Sequence, residues 1–274
     1  LADSGSFEAQ MTQYSQNFIA LHDINLDQEM LLKIKRNVLV PFMRNPTLLT
    51  HYADHIVQEQ NQLLLSQSIQ SSQQLSQVIR QLINQLNQSK KYFGQKKYNF
   101  IQRWFGIDLE QQAGSVNFLN DLNQLVEVAT RLSHQVATEI YQSQKQMQQL
   151  EQLRVDMAHY VVAAEQFVQE CHAFADNKMS LDPFKDRLHK KINTLMTSQS
   201  ATDMAMLQQN LSRNTAMTIL DRFNEAKNIL IPAWQQHVLQ LQTVQNPQEL
   251  QQLNAARERL IQTLDHAVKT APSK

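Results

Sequence analysis

The stretch AGSVNFLNDLNQLVEVATRLSHQVATEIYQSQKQMQQLEQLRVDMAHYVVAAEQFVQECHAFADN, residues 113–177, holds no Pro and, after Gly114, no Gly. Counted in steps of three and four, it puts Val116, Leu119, Asn123, Val126, Thr130, Ser133, Ala137, Ile140, Gln144 and Met147 on one seam. Two steps of three follow, through Leu150 and Leu153, and the seam resumes at Met157, Tyr160, Ala164, Phe167, Cys171 and Phe174. This is heptad spacing with one three-residue discontinuity, which is expected to overwind a coiled coil locally. A helix of roughly 60 residues is about 90 Å long, so the pattern predicts an elongated molecule.

The rest of the composition agrees with long helices. The 274 residues include only 4 Gly and 6 Pro, so turn-forming residues are scarce. There are 41 Gln, a good helix former that keeps a helix face soluble without charge. Lys and Arg number 25 and so do Asp and Glu. A neutral chain has no bulk attraction to nucleic acid or anionic lipid, and no nucleic-acid partner is expected. The single cysteine, Cys171, excludes a disulfide within the chain; on the seam it reads as a small buried hydrophobe. No run approaches 18 uninterrupted apolar residues, so no transmembrane helix is predicted, no signal peptide is visible, and a cytoplasmic location is the default.

Outward from the central stretch, residues 1–46 read as short N-terminal helices and 47–274 as one helical bundle. Asn25 is a plausible cap for a helix from Leu26 to Val40, with Leu31, Ile34, Val38 and Phe42 on its apolar side and Lys33, Lys35 and Arg36 elsewhere. Pro41 and Pro46 follow, and each biases the residue before it away from helical dihedrals. A second long helix is expected from Thr47 to Lys90, with a thin apolar stripe at Ile69–Ser72. A third runs from Phe184 to Gln245, started by Asp182-Pro183 and kinked by Pro232. Asn246-Pro247 starts a final helix with Leu250, Leu253, Leu260 and Leu264 on its stripe. Strand signals are absent. The fold class is all-α, an elongated antiparallel bundle of three long helices with shorter terminal helices.

Between the first two long helices lies KKYFGQKKYNFIQRWFG, residues 90–106, with five basic residues, six aromatics and two of the four glycines. It reads as a hairpin tip with packed aromatics. The interleaving of Lys96 and Lys97 with Trp104 and Phe105 also suits a membrane surface or a protein partner.

Residues for catalysis are hard to find. His51, Asp54 and His55 share one helical face and are able to touch one ion, but such a group needs further ligands, and surface or partly buried histidines are the plainer reading. No Glu is followed by His three residues later, which counts against a di-iron bundle. No phosphate-cradling Gly-x-x-x-x-Gly-Lys, no Gly-x-Gly-x-x-Gly and no Gly-x-Ser-x-Gly occurs. No cofactor, metal or catalytic residue is expected.

The stretch FKDRLHKKINTLMTSQSATDMAMLQQNLSRNTAMTILDRFNEAKNILIPAWQQHVLQL, residues 184–241, is more specific. Its Arg187-Leu188 start, its Leu-Gln-Gln-Asn-Leu run at 207–211 and above all Leu230-Ile231-Pro232-Ala233-Trp234 resemble the toxic anion resistance family, the TelA-like proteins associated with tellurite resistance. The helix from Asn117 to Glu170 is similar too, ending in LRVDMAHYVVAAE (153–165). The likeness covers roughly residues 85–245. After Trp234 the chain departs from the family, with Asn246-Pro247 where the family continues a polar helix. The family carries no agreed catalytic residues, so none transfers.

The resemblance implies a non-enzymatic cytoplasmic scaffold in envelope or oxyanion stress, working through protein partners, with self-association through the long helices as one option. The alternative is a membrane-associated helical protein, either curvature-binding or a component of a pore-forming toxin, touching the bilayer peripherally. Pro232 and Trp234 are the expected partner-binding pair, forming a kink filled by a large amphipathic ring, with Lys96, Lys97, Trp104 and Phe105 as the second candidate surface.

Overall fold

The computed structural model describes residues 18–65, 69–93, 107–174, 181–243 and 247–269. Among these residues there is no strand; the protein is an all-α bundle. After a 3-10 turn at Leu21–Asp23 come α1 (Gln28–Ile34), α2 (Val40–Arg44), a second 3-10 turn at Pro46–His51, α3 (Asp54–Leu65), α4 (Ser71–Gln88) and the short α5 (Lys90–Phe93). The long α6 (Ile107–Glu170) and α7 (Asp182–Glu225) follow, then α8 (Ile231–Thr243) and α9 (Pro247–Lys269).

The chain divides into two compact units, each drawn from separate parts of the sequence. Unit 1 takes Leu1–Gln67 and Ser143–Leu211; unit 2 takes Ser68–Gln142 and Ser212–Lys274. The long helices α6 and α7 contribute residues to both.

The expected helix from Thr47 to Lys90 is not continuous. Ala53 sits at φ 59°, in the left-handed region that a side-chain-bearing residue adopts only at a cost, and its carbonyl accepts the first hydrogen bonds of α3 from Ile56 and Val57. Residues 69 and 70 are again non-helical. The new helix start is tied down by α6. Glu139 accepts from the Ser71 backbone N–H at 3.2 Å and from its hydroxyl at 2.7 Å, so a carboxylate from another helix caps α4 at the positive end of its dipole.

The seam of α6 also differs from its sequence reading. Val116 is exposed, as are Asn123, Ala137 and Gln144. The buried positions among its described side chains are Ser115, Phe118, Leu122, Ala129, Ser133, Val136, Ser143, Met147, Leu150, Leu153, Arg154, Met157, Ala158, His159, Val161, Ala163, Ala164, Phe167 and Val168, with Cys171 just beyond the helix. From Ser133 onward, with half-buried Ile140 included, one line of buried positions alternates three and four, and Met147, Leu150, Leu153 and Met157, which carry the expected two steps of three, are all buried too. Ahead of Met147 the apolar count runs one position late at Val116, Asn123, Ala137 and Gln144, where small serines share the buried side. Cys171 is fully buried, as expected.

Arg154 is tolerated there because unit 1 supplies partners. Its Nε donates to Asp203 at 3.0 Å and its Nη2 to the carbonyl of Ile19 at 2.7 Å, and the guanidinium lies 5.2 Å from the Phe18 ring centroid. A buried arginine with that many partners is stable; without them it is not.

The segment 153–165 is the most enclosed part of the same helix, with Met157, Ala158 and His159 buried in succession. The N-terminal elements cover its other faces. The His159 ring accepts from the Asp27 backbone N–H at Nε2 and donates from Nδ1 to the Val155 carbonyl. The Tyr52 hydroxyl donates to the Tyr160 carbonyl at 2.7 Å. Burial, with Tyr160 beside it, pushes the Tyr52 hydroxyl well above the usual tyrosine range, so Tyr52 stays a neutral donor.

Candidate partner-docking site

Pro232 does not simply kink a continuous helix. Between α7 and α8, residues Ala226–Leu230 form a π-helical segment, closed by the Ile231 N–H bonding back to the Ala226 carbonyl. A proline ring inside an α-helix clashes with the carbonyl four residues earlier. The wider π turn opens that spacing, and such bulges cluster at functional sites. Ile231 keeps helical dihedrals (φ −65°, ψ −49°) even though it precedes a proline.

The two members of the pair face opposite ways. Pro232 and Ala233 are exposed, beside exposed Asn228 and Ile229, the latter 63% accessible. Trp234 is fully buried. Its ring meets Phe93 edge-on at 5.9 Å and Phe118 at 6.4 Å, and Phe118 also contacts Tyr92 at 5.0 Å. Trp234 therefore anchors the unit 2 core, and the surface available to a partner is Asn228, Ile229, Pro232 and Ala233. The indole N–H is buried without a hydrogen-bond partner, so this ring is held by shape alone. Lys96, Lys97, Trp104 and Phe105 lie outside the described residues.

Among the described residues the same device occurs again in unit 1. Lys35–Leu39 is a π segment, closed by the Val40 N–H onto the Lys35 carbonyl, with Val40 helical (φ −60°, ψ −46°) and Pro41 next. Pro41 thus lies inside the helical run rather than ending it. Lys35 follows buried Leu31 by four residues, on the same helical face, and is 5% exposed, where its Nζ meets Glu170 at 2.9 Å. Its expected place on the polar face is thereby corrected. The helix start is capped by Asp27, not Asn25: the Asp27 side chain accepts from the Glu29 N–H.

Aligned on their prolines, the two segments read KRNVLVPFM (35–43) and AKNILIPAW (226–234). In both, the first residue is buried, the Asn and Pro are exposed, and the residue two beyond the proline is buried, Met43 in one and Trp234 in the other. The signal for Pro41 was present in the sequence as this spaced pattern, basic-Asn-aliphatic-Leu-aliphatic-Pro.

The other sequence candidates have structural partners. Asp54 accepts from Lys191 at 2.6 Å, His51 lies 3.4 Å from Asp54, and His55 packs edge-on against Tyr160. No group of three or more His, Cys, Asp or Glu side chains among the described residues is placed to hold a metal ion.

The chain is 25% identical to Protein KlaA of Escherichia coli over 180 residues, which cover 64% of this chain and 70% of KlaA. The chain is a relative of KlaA. That likeness supports the resemblance to the toxic anion resistance family. No family model and no solved structure matches.

Proposed function

We propose that this relative of KlaA is a non-enzymatic, cytoplasmic helical scaffold of the toxic-anion, tellurite resistance type, and that it acts through protein partners. The likeness to KlaA carries the reading. The π–proline segment at 226–232 supports it, because it presents an apolar Ile229–Pro232 face whose backbone is held by Trp234. A binding face backed by a rigid aromatic core loses little conformational freedom on docking. Among the described residues no helix is long and apolar enough to cross a membrane.

The test is growth. Cells lacking the chain are expected to grow less well than their parents on tellurite and to recover when it is restored. Equal growth of both strains across tellurite concentrations would contradict the resistance role. Liposome co-sedimentation of the purified chain would redirect the reading to a bilayer surface.

A further inference from the structure

The two π–proline segments differ in charge. Around Pro232 no Asp, Glu, Lys or Arg occurs between Lys227 and Glu249. Around Pro41 no Asp or Glu occurs between Glu29 and Asp54, but Lys33, Lys35, Arg36 and Arg44 do. Two of these cations are already matched: Lys33 pairs with Glu29 at 2.7 Å, and buried Lys35 with Glu170 at 2.9 Å. Arg36 and Arg44 are exposed, and among the described residues neither meets an acceptor.

The π turn sets how these two arginines lie. In a regular helix, at about 100° per residue, eight residues would leave Arg44 about 80° away from Arg36. One wider π turn followed by one α turn takes up about eight residues. Arg36 and Arg44 therefore return to the same side, about two turns or roughly 10 Å apart. The burial pattern agrees, since Lys35, Leu39 and Met43 are buried at steps of four while Lys33, Asn37 and Pro41 are exposed at steps of four. Leu32, 48% exposed, and half-buried Val40 complete the arginine line at the same spacing. This side thus alternates aliphatic and cationic residues, with the Asn37 amide and the Pro41 ring beside them.

Anionic bilayers are held by clusters of about four to eight basic residues, more than this side offers. Two guanidinium groups at a fixed interval match two carboxylates at the same interval, and complementary charge of this kind selects a partner. We propose that the side of unit 1 running from Leu32 to Arg44 docks an acidic segment of a protein partner. Two carboxylates of that segment, about two helical turns apart, meet Arg36 and Arg44, and an apolar side chain between them rests on Val40. The inference depends neither on the Pro232 face nor on the resistance role, since it concerns residues of unit 1 alone.

Fluorescence anisotropy on the full chain tests it with two labelled helical peptides of one composition. One carries its glutamates two turns apart on one face, the other on opposite faces. The first is expected to bind severalfold more tightly and to weaken with added salt. Arg36→Gln combined with Arg44→Gln removes exposed, unmatched charges and leaves the fold intact. That double variant is expected to bind the first peptide about five- to tenfold more weakly and to lose the preference between the two. Lys145→Gln removes an exposed charge on α6 and is expected to change neither affinity. No binding of either peptide at millimolar concentration, equal affinity for both, or affinity unchanged in the folded double variant would overturn the proposal. So would an equal loss in Lys145→Gln, or binding to phosphatidylserine vesicles without binding to the peptides.

Discussion

Trp234→Ala is expected to lower folding stability by about 3–5 kcal/mol. The ring is fully buried between Phe93 and Phe118, and helices cannot close over a void of that size. Set against the usual total of about 5–15 kcal/mol, that loss leaves unit 2 marginal or unfolded. Trp234→Phe should cost far less, because it keeps an aromatic edge in place and removes an indole N–H that has no partner. Chemical denaturation of the three proteins checks this. A Trp234→Ala protein as stable as the parent would show that the ring does not hold the core.

The second large effect is expected at Arg154. Arg154→Leu should destabilise by about 2–3 kcal/mol, at the lower end for a broken buried pair because Asp203 keeps a 2.7 Å bond from Gln199. The loss has two parts: Asp203 is left without its cation, and the Ile19 carbonyl without its donor. Adding Asp203→Leu to Arg154→Leu should recover part of the stability, since an apolar pair at a seam position avoids the orphaned charge. A double variant less stable than the sum of the two single changes would show that the pair is not coupled as the distances imply.

Much of the fold was legible before any coordinates. Helix-only architecture followed from the scarcity of Gly and Pro, and the starts at Asp182 and Pro247 followed from their capping signals. Hydrophobicity locates a seam only when apolar residues fill it, and here Ser115, Ser143 and Arg154 are buried beside it. A three-four count through apolar residues therefore ran one position late at Val116, Asn123, Ala137 and Gln144. The break at Ala53 had no signal, because alanine is a helix former and here adopts a left-handed dihedral. At the candidate site, Leu230–Trp234 was legible from its motif, but Trp234, read as half of a partner-binding pair, is fully buried in the core. Pro232 and Trp234, two residues apart, lie about 200° apart on a helix, so they do not share a face; which of the two turns inward is set by the packing of Trp234 on Phe93 and Phe118.

Pro232 separates a structural role from a docking role. It is exposed, and an interior proline costs a helix about 3 kcal/mol, so Pro232→Ala should let the segment revert to α-helix with the melting temperature held or raised. The most direct measurement is tellurite tolerance of cells whose only copy carries Pro232→Ala, read beside the melting temperature of that purified variant. The account predicts a folded, equally or more stable protein that fails to restore growth. A Pro232→Ala protein that is well folded and restores growth fully would contradict it.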